Sequence, residues 1–419
     1  MKRIVILGAG TGGTIVANRL IRRLPSGWEL TIVDPVQTHL YQPGLLFLPF
    51  GAQDEEKMMR PRSDTLAREV TWCKAAVEAI DKVAREVHLV GGDRVAYDLL
   101  VIATGAEVRP EMTEGMTGVG WRREVFDFYT LDGAIALRSA LERFEGGRLV
   151  VNIVEMPIKC PVAPLEFAFL ADDYFKRRGI RDRVDLVYAT PLDGAFTRPM
   201  ASRKLGHLLT EKKIVVESEF AAAKVDGERR VVSSYDGREL PYDLSVTIPT
   251  HGGAGFLGRS GFGDELDFVP TDRNTLAVKD AAGVFALGDA TDLPSSKAGS
   301  VAHFQAEILT GNLLRAMRSE EPLPLFDGHA NCFIETGAGK AMLIDFNYET
   351  EPLAGHYPLP GIGPFTLLGE TRRNHWGKKA FRWMYWHGLL PGRPIPLPTK
   401  MSMTGKRRPA AIAANAATA

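Results

Sequence analysis

The 419-residue chain is 45% hydrophobic and 24% charged, which bounds it to a globular protein of two or three domains. Its 51 basic and 51 acidic residues cancel, so net charge points to no class of partner, and three cysteines exclude a disulfide-stapled secreted scaffold. No uninterrupted apolar run reaches the ~18 residues of a transmembrane helix, and no signal peptide is expected ahead of "MKRIVILGAG".

That opening reads as a buried strand, a glycine turn and a helix. Gly8, Gly10 and Gly13 fit G-x-G-x-x-G: a tight turn, a close backbone approach to a pyrophosphate, and close helix packing. The helix N-terminus adds free N–H groups and a positive dipole. A second strand, "WELTIVD", ends in Asp34, 21 residues after Gly13, where an acid accepts hydrogen bonds from ribose hydroxyls. In "HLYQPGLLFLPFG", Pro43 is a candidate neighbour of the cofactor ring, and the apolar run from Leu45 to Phe50 reads equally as core. Cys73, in "VTWCKAAVEAIDKV", reads as structural.

Two later strands identify the dinucleotide as FAD. "YDLLVIATGAEVRP" ends its strand at Thr104 and Gly105, and "AAGVFALGDATDLP" ends its strand at Gly288 and Asp289. The first resembles the exit from the FAD domain of two-dinucleotide-domain flavoproteins, and the second the return, with Asp289 near the ribityl chain and pyrophosphate. The next helix points its N-terminus at the flavin and favours negative charge there. Lys297 either strengthens that effect or is a solvated surface lysine.

The expected architecture is α/β, with two Rossmann-like domains, the first one split. Residues 1–110 and 271–325 form the FAD-binding domain, residues 111–270 a second Rossmann-like domain, and residues 326–419 a C-terminal quinone- and membrane-docking region with a disordered tail. In the second domain the strand "GRLVVNIV" is followed by "EMPIKCPVAPLEF", with no glycine. Prolines remove N–H donors there, and the strand "VDLVYATP" ends without an acid, so NAD(P)H is not the expected donor. Cys160 instead occupies the strand's carboxyl end, where α/β folds bind ligands. Its place near a helix start is expected to favour the thiolate. Glu166 is either a proton acceptor or an acid complementing the helix dipole. His251, in "IPTHGGAG", reads as a structural histidine near the site.

Cys332 follows in "GHANCFIETGAGK". With the FAD fingerprint, the "KCPVAPLE" turn, the "GDAT" return and a basic aromatic C-terminus, the chain resembles the sulfide:quinone oxidoreductase family over nearly its whole length. The resemblance implies that Cys160 and Cys332 face each other beside the flavin, bridged by a disulfide or by extra sulfur atoms. Sulfide attacks one sulfur. Cys332, beside the ring, delivers two electrons, while Cys160 keeps a growing persulfide. Many members carry a further cysteine before the second domain. Residues 105–159 contain none, so the FAD is expected to be noncovalent; no metal enters this reading.

The stretch from Thr371 to Arg408 holds ten Lys/Arg, no acid, and Trp376, Trp383 and Trp386, half of the chain's tryptophans. Such composition favours the membrane–water interface. It implies a monotopic protein of the cytoplasmic membrane, on either face, whose quinone enters near Phe333 and Lys340. Partners are thus sulfide, membrane quinone and the membrane surface, not nucleic acid; a homo-oligomer stays open. Three other readings compete. A type-II NADH:quinone dehydrogenase needs a second glycine fingerprint. The flavoprotein subunit of a flavocytochrome sulfide dehydrogenase needs a cytochrome. A nonenzymatic FAD protein would have vestigial thiols.

Overall fold

The first strand, Lys2–Leu7, is apolar through its last four residues, and all four are buried, as befits a strand covered on both faces. It lies at the centre of a five-stranded parallel sheet ordered Val284–Ala286, Leu99–Ile102, Lys2–Leu7, Trp28–Val33 and Thr71–Cys73. Leu7 is in register with both Val33 and Ile102. Gly8, Asp34 and Ala103 therefore leave the sheet at one common edge. The computed structural model describes residues 1–359, 361–395 and 397–407; the tail expectation, residues 409–419, lies outside them.

A second parallel sheet follows the order Val125–Phe126, Leu244–Ile248, Gly147–Ile153, Val184–Ala189 and Val215–Glu217. Its central strand leads through the cysteine turn into the helix Ala163–Arg177. Pro164 in the first turn of that helix removes an N–H that would have no intrahelical partner. Two small antiparallel sheets decorate the parallel ones: Val77–Asp81 with Glu86–Leu89 and Arg94–Ala96, and Ala222–Asp226 with Val231–Ser234 and Glu239–Pro241.

The C-terminal region contains a four-stranded sheet that sequence reading did not anticipate. Its order is Ala330–Gly337, Lys340–Phe346, Gly363–Leu367 and Gly355–Leu359, antiparallel apart from the Leu343–Leu367 pair. The helix Arg372–Met384 packs on this sheet. Thr371 starts it by accepting the Asn374 N–H at 3.1 Å. A π-turn, Tyr385–Leu389, continues it. One apolar core joins all three regions: Ile4, Val151, Phe167, Ile344 and Tyr385 belong to the same buried cluster. The C-terminal segment is thus part of the body of the protein. Among the described residues, no helix is long and apolar enough to cross a membrane.

Candidate active site

A cavity with about 1140 Å³ of empty space, its open mouth included, lies between the carboxyl edges of the two parallel sheets. Its floor comes from Gly10, Pro43, Thr104, Gly105, Gly288 and Asp289, and its other wall from Cys160 and Glu166.

The glycine turn is dictated by space. Gly8 has φ +90°, and a Cβ on Gly13 would stand 1.9 Å from the Gly8 carbonyl oxygen. At Gly10 a Cβ meets nothing within 4 Å, leaving the backbone bare toward the cavity. Thr104 Oγ1 is buried without a partner in the same wall. The helix Gly299–Met317 begins at the cavity with no acid in its first turn. Two helix N-termini, a bare glycine turn and an orphaned hydroxyl fit the phosphates and hydroxyls of a dinucleotide. This flavoprotein cradle fits FAD. Asp34 stands at the predicted strand end, but its oxygens also brace the turn. Oδ2 accepts the Ala9 N–H at 2.7 Å, Oδ1 accepts the Val36 N–H at 2.8 Å, and Arg62 lies 3.7 Å away.

Lys297 is not a solvated lysine. It is 6% exposed, faces the cavity, and donates to the Asp289 carbonyl at 3.1 Å. Its ammonium sits 4.2 Å from the centre of the Phe268 ring. Burial lowers its pKa to about 8 against the pull of Asp289. Burial likewise raises the pKa of Asp289, with Lys297 and Lys159 opposing.

Cys160 adopts φ +45°, a left-handed backbone conformation uncommon for a residue with a side chain. Its N–H donates to the Lys297 carbonyl at 2.6 Å, tying the cysteine turn of one domain to the cofactor wall of the other. Its carbonyl accepts the Ala163 N–H at 2.8 Å and the Tyr129 hydroxyl at 3.3 Å. Cys332 lies in the strand Ala330–Gly337, which packs on the helix Ala163–Arg177. Both cysteines are free and partly accessible. Burial raises both thiol pKa values, that of Cys332 to about 12 and that of Cys160 beyond the ordinary thiol range. Glu166 adds to both, and the Cys332 thiol adds to that of Cys160. The expectation of a thiolate stabilised by the helix start is therefore corrected. The helix begins only at Ala163, and desolvation is the largest influence on the Cys160 thiol.

Glu166 is fully buried. Its Oε1 accepts the Glu335 N–H at 2.6 Å and the ammonium of Lys378; its Oε2 is buried without a partner. Burial raises its pKa to about 6 even though Lys378 pulls the other way. Lys378, from the C-terminal helix, also donates to the Phe333 carbonyl at 2.8 Å. Burial works against its charge, but Glu166, Glu335 and the Cys160 thiol hold its pKa above the ordinary lysine value. Behind it, His375 Nδ1 lies 2.9 Å from the Glu335 carboxylate.

Lys340 is exposed at the hairpin end and is not among the residues that line this cavity; Lys378, which the sequence did not single out, does line it. Phe333 packs edge-on against Phe365 with ring centres 5.1 Å apart. His251 is buried behind the wall. Its Nδ1 is 2.9 Å from the Pro249 carbonyl, and its ring stands edge-on to Tyr129. Cys73 pairs with Val33 in the first sheet and packs against a separate apolar cluster.

The pyridine nucleotide-disulphide oxidoreductase model matches residues 2–306. A mitochondrial sulfide:quinone oxidoreductase of Mus musculus is 25% identical over 90% of this chain and 88% of its own length. That of Dictyostelium discoideum is 29% identical over 93% and 86%. The crystal structure of the sulfide:quinone oxidoreductase from Aquifex aeolicus superposes with a TM-score of 0.78 at 19% identity, covering 94% of this chain and 92% of that one.

Proposed function

We propose that this chain, which belongs to the pyridine nucleotide-disulphide oxidoreductase family, is an FAD-dependent sulfide:quinone oxidoreductase working through Cys160 and Cys332. The observation that carries the proposal is that Cys160 and Glu166 face the cavity that Gly10, Thr104 and Asp289 also line. The relatives named for sulfide and quinone span nearly the whole chain. The turn after Gly147–Ile153, where a nicotinamide dinucleotide would need bare backbone, carries Pro157, Cys160 and Pro161.

Starting from a Cys160–Cys332 disulfide, hydrogen sulfide gives one persulfide on Cys160 and one thiol on Cys332. Closing these into a trisulfide releases two protons and two electrons. When bound, FAD accepts that electron pair and passes it to quinone. Glu166 takes a proton at its free Oε2, and Lys378 keeps the carboxylate charged enough to do so. Trp376 and Trp383, 66% and 70% exposed, serve membrane docking, with Leu359 and Ile362 exposed on the hairpin beside their helix. Noncovalent FAD and entry of quinone past Phe333 complete the reading.

The test is anaerobic. Sulfide and NADH are added separately to the purified yellow protein, and visible flavin absorbance is followed. Rapid bleaching by sulfide, reversed by a soluble quinone, is expected. Bleaching by NADH and not by sulfide would replace this reading with that of an NADH:quinone dehydrogenase.

A further inference from the structure

The C-terminal helix reaches the cofactor end of the cavity as well as the cysteine end. Tyr385, at the start of its π-turn, is 1% exposed and lines the cavity. Its hydroxyl lies 2.7 Å from Thr11 Oγ1 and 2.7 Å from His39 Nε2. Thr11 opens the helix that follows Gly10 and is 374 residues away in sequence. Tyr41 and Trp386 stand edge-on to the Tyr385 ring at 4.9 and 5.2 Å and fix its direction.

Burial, followed by the charge of Arg62, lowers the His39 pKa to about 3, with the Ala9 backbone opposing, so the ring is neutral and carries one N–H. Whichever ring nitrogen holds it, the Tyr385 hydroxyl bridges His39 Nε2 and Thr11 Oγ1 and fixes where the Thr11 hydroxyl stands. That hydroxyl opens the helix beside Gly10, the place where a helix N-terminus receives phosphates.

We propose that Tyr385 is a positioning residue for FAD. It orients the Thr11 hydroxyl toward the dinucleotide phosphates, so that the C-terminal helix latches the cofactor in place. The proposal rests only on the FAD part of the function above. Its test uses neither sulfide nor quinone, so the two readings fail independently.

The experiment compares full-length wild type with Tyr385→Phe. FAD affinity is read from flavin fluorescence on dilution, and thermal midpoints are taken for the FAD-loaded and FAD-free proteins. Loss of one oriented hydrogen bond should weaken FAD binding roughly three- to tenfold. The loaded midpoint should fall more than the free one. On a Thr11→Val background, Tyr385→Phe should add less than about twofold, because the two groups act as one unit. His39→Leu, which cuts the chain at its other end, should weaken FAD in the same direction. Unchanged affinity in Tyr385→Phe, or in His39→Leu should the tyrosine variant not fold, would overturn the latch. So would equal falls of the two midpoints, or full additivity with Thr11→Val.

Discussion

Lys378 donates its ammonium to Oε1 of Glu166 across 212 residues of sequence and leaves Oε2 of that carboxylate without a partner. The pair divides the carboxylate into a bonded oxygen and a free one. Both ions are buried, so the charge of each depends on the other. Lys378→Met removes the cation that opposes burial at Glu166. The pH midpoint of flavin bleaching by sulfide should then rise by about one unit or more, within the 1–3 units that a close opposite charge commonly supplies. An unmoved midpoint with normal rates would show that the pair is not coupled to the chemistry.

The sign of the underlying pH dependence follows from Glu166 itself. Its pKa is raised to about 6, chiefly by burial. Below that pH it is protonated and cannot accept a proton; above it, Oε2 is a base. Bleaching by sulfide should therefore accelerate as pH rises through about 6. Glu166→Gln should lose that step and slow the plateau by roughly 10²-fold, the low end for a removed acid–base group. A Gln variant that keeps both the step and the rate would remove Glu166 from the mechanism.

The three cysteines should separate cleanly. Cys160→Ala and Cys332→Ala should each lose sulfide-dependent quinone reduction by several orders of magnitude, as when a nucleophile is deleted. The visible flavin spectrum of the purified variants should be intact. Cys73 packs against another apolar cluster and pairs with Val33. Cys73→Ser should change turnover less than twofold, at a stability cost of about 1 kcal/mol. Near-normal turnover in either of the first two variants would rule out the two-thiol route.

How much of this could be read beforehand depends on what fixes each residue. The parallel sheets and the glycine turn were legible because backbone geometry leaves few alternatives: Gly13 has no room for a Cβ, and Leu7 must end level with Val33 and Ile102. Cys160 stood out because a thiol between prolines replaces a phosphate turn. Lys378 did not, because one lysine in a basic stretch carries no mark of burial. Lys340 was favoured for its nearness to Cys332 in sequence. In the hairpin Lys340 pairs with Gly337 at the turn, while Cys332 pairs with Ile344 farther along the strands. The thiol pKa was misjudged because sequence shows a helix start but not the desolvation that surrounds it.

The helix that carries Lys378 and Tyr385 inward carries Trp376 and Trp383 outward. Buried Trp386 stacks under Arg60, 4.5 Å from its ring centre, and anchors the helix end to the body. The two exposed tryptophans are therefore separable from the site. Moving such side chains out of water is worth about 1.5–3 kcal/mol each when complete. Trp376→Ser with Trp383→Ser should thus lower sedimentation with anionic phospholipid vesicles by at least about tenfold. Bleaching by sulfide, which needs no membrane, should keep its wild-type rate. Turnover with a bilayer quinone should fall in parallel with vesicle binding, while turnover with a soluble quinone should not. Wild-type vesicle binding in the double variant would move the docking surface away from this helix. A loss of sulfide bleaching would mean that the helix cannot be altered outside without disturbing Lys378 inside.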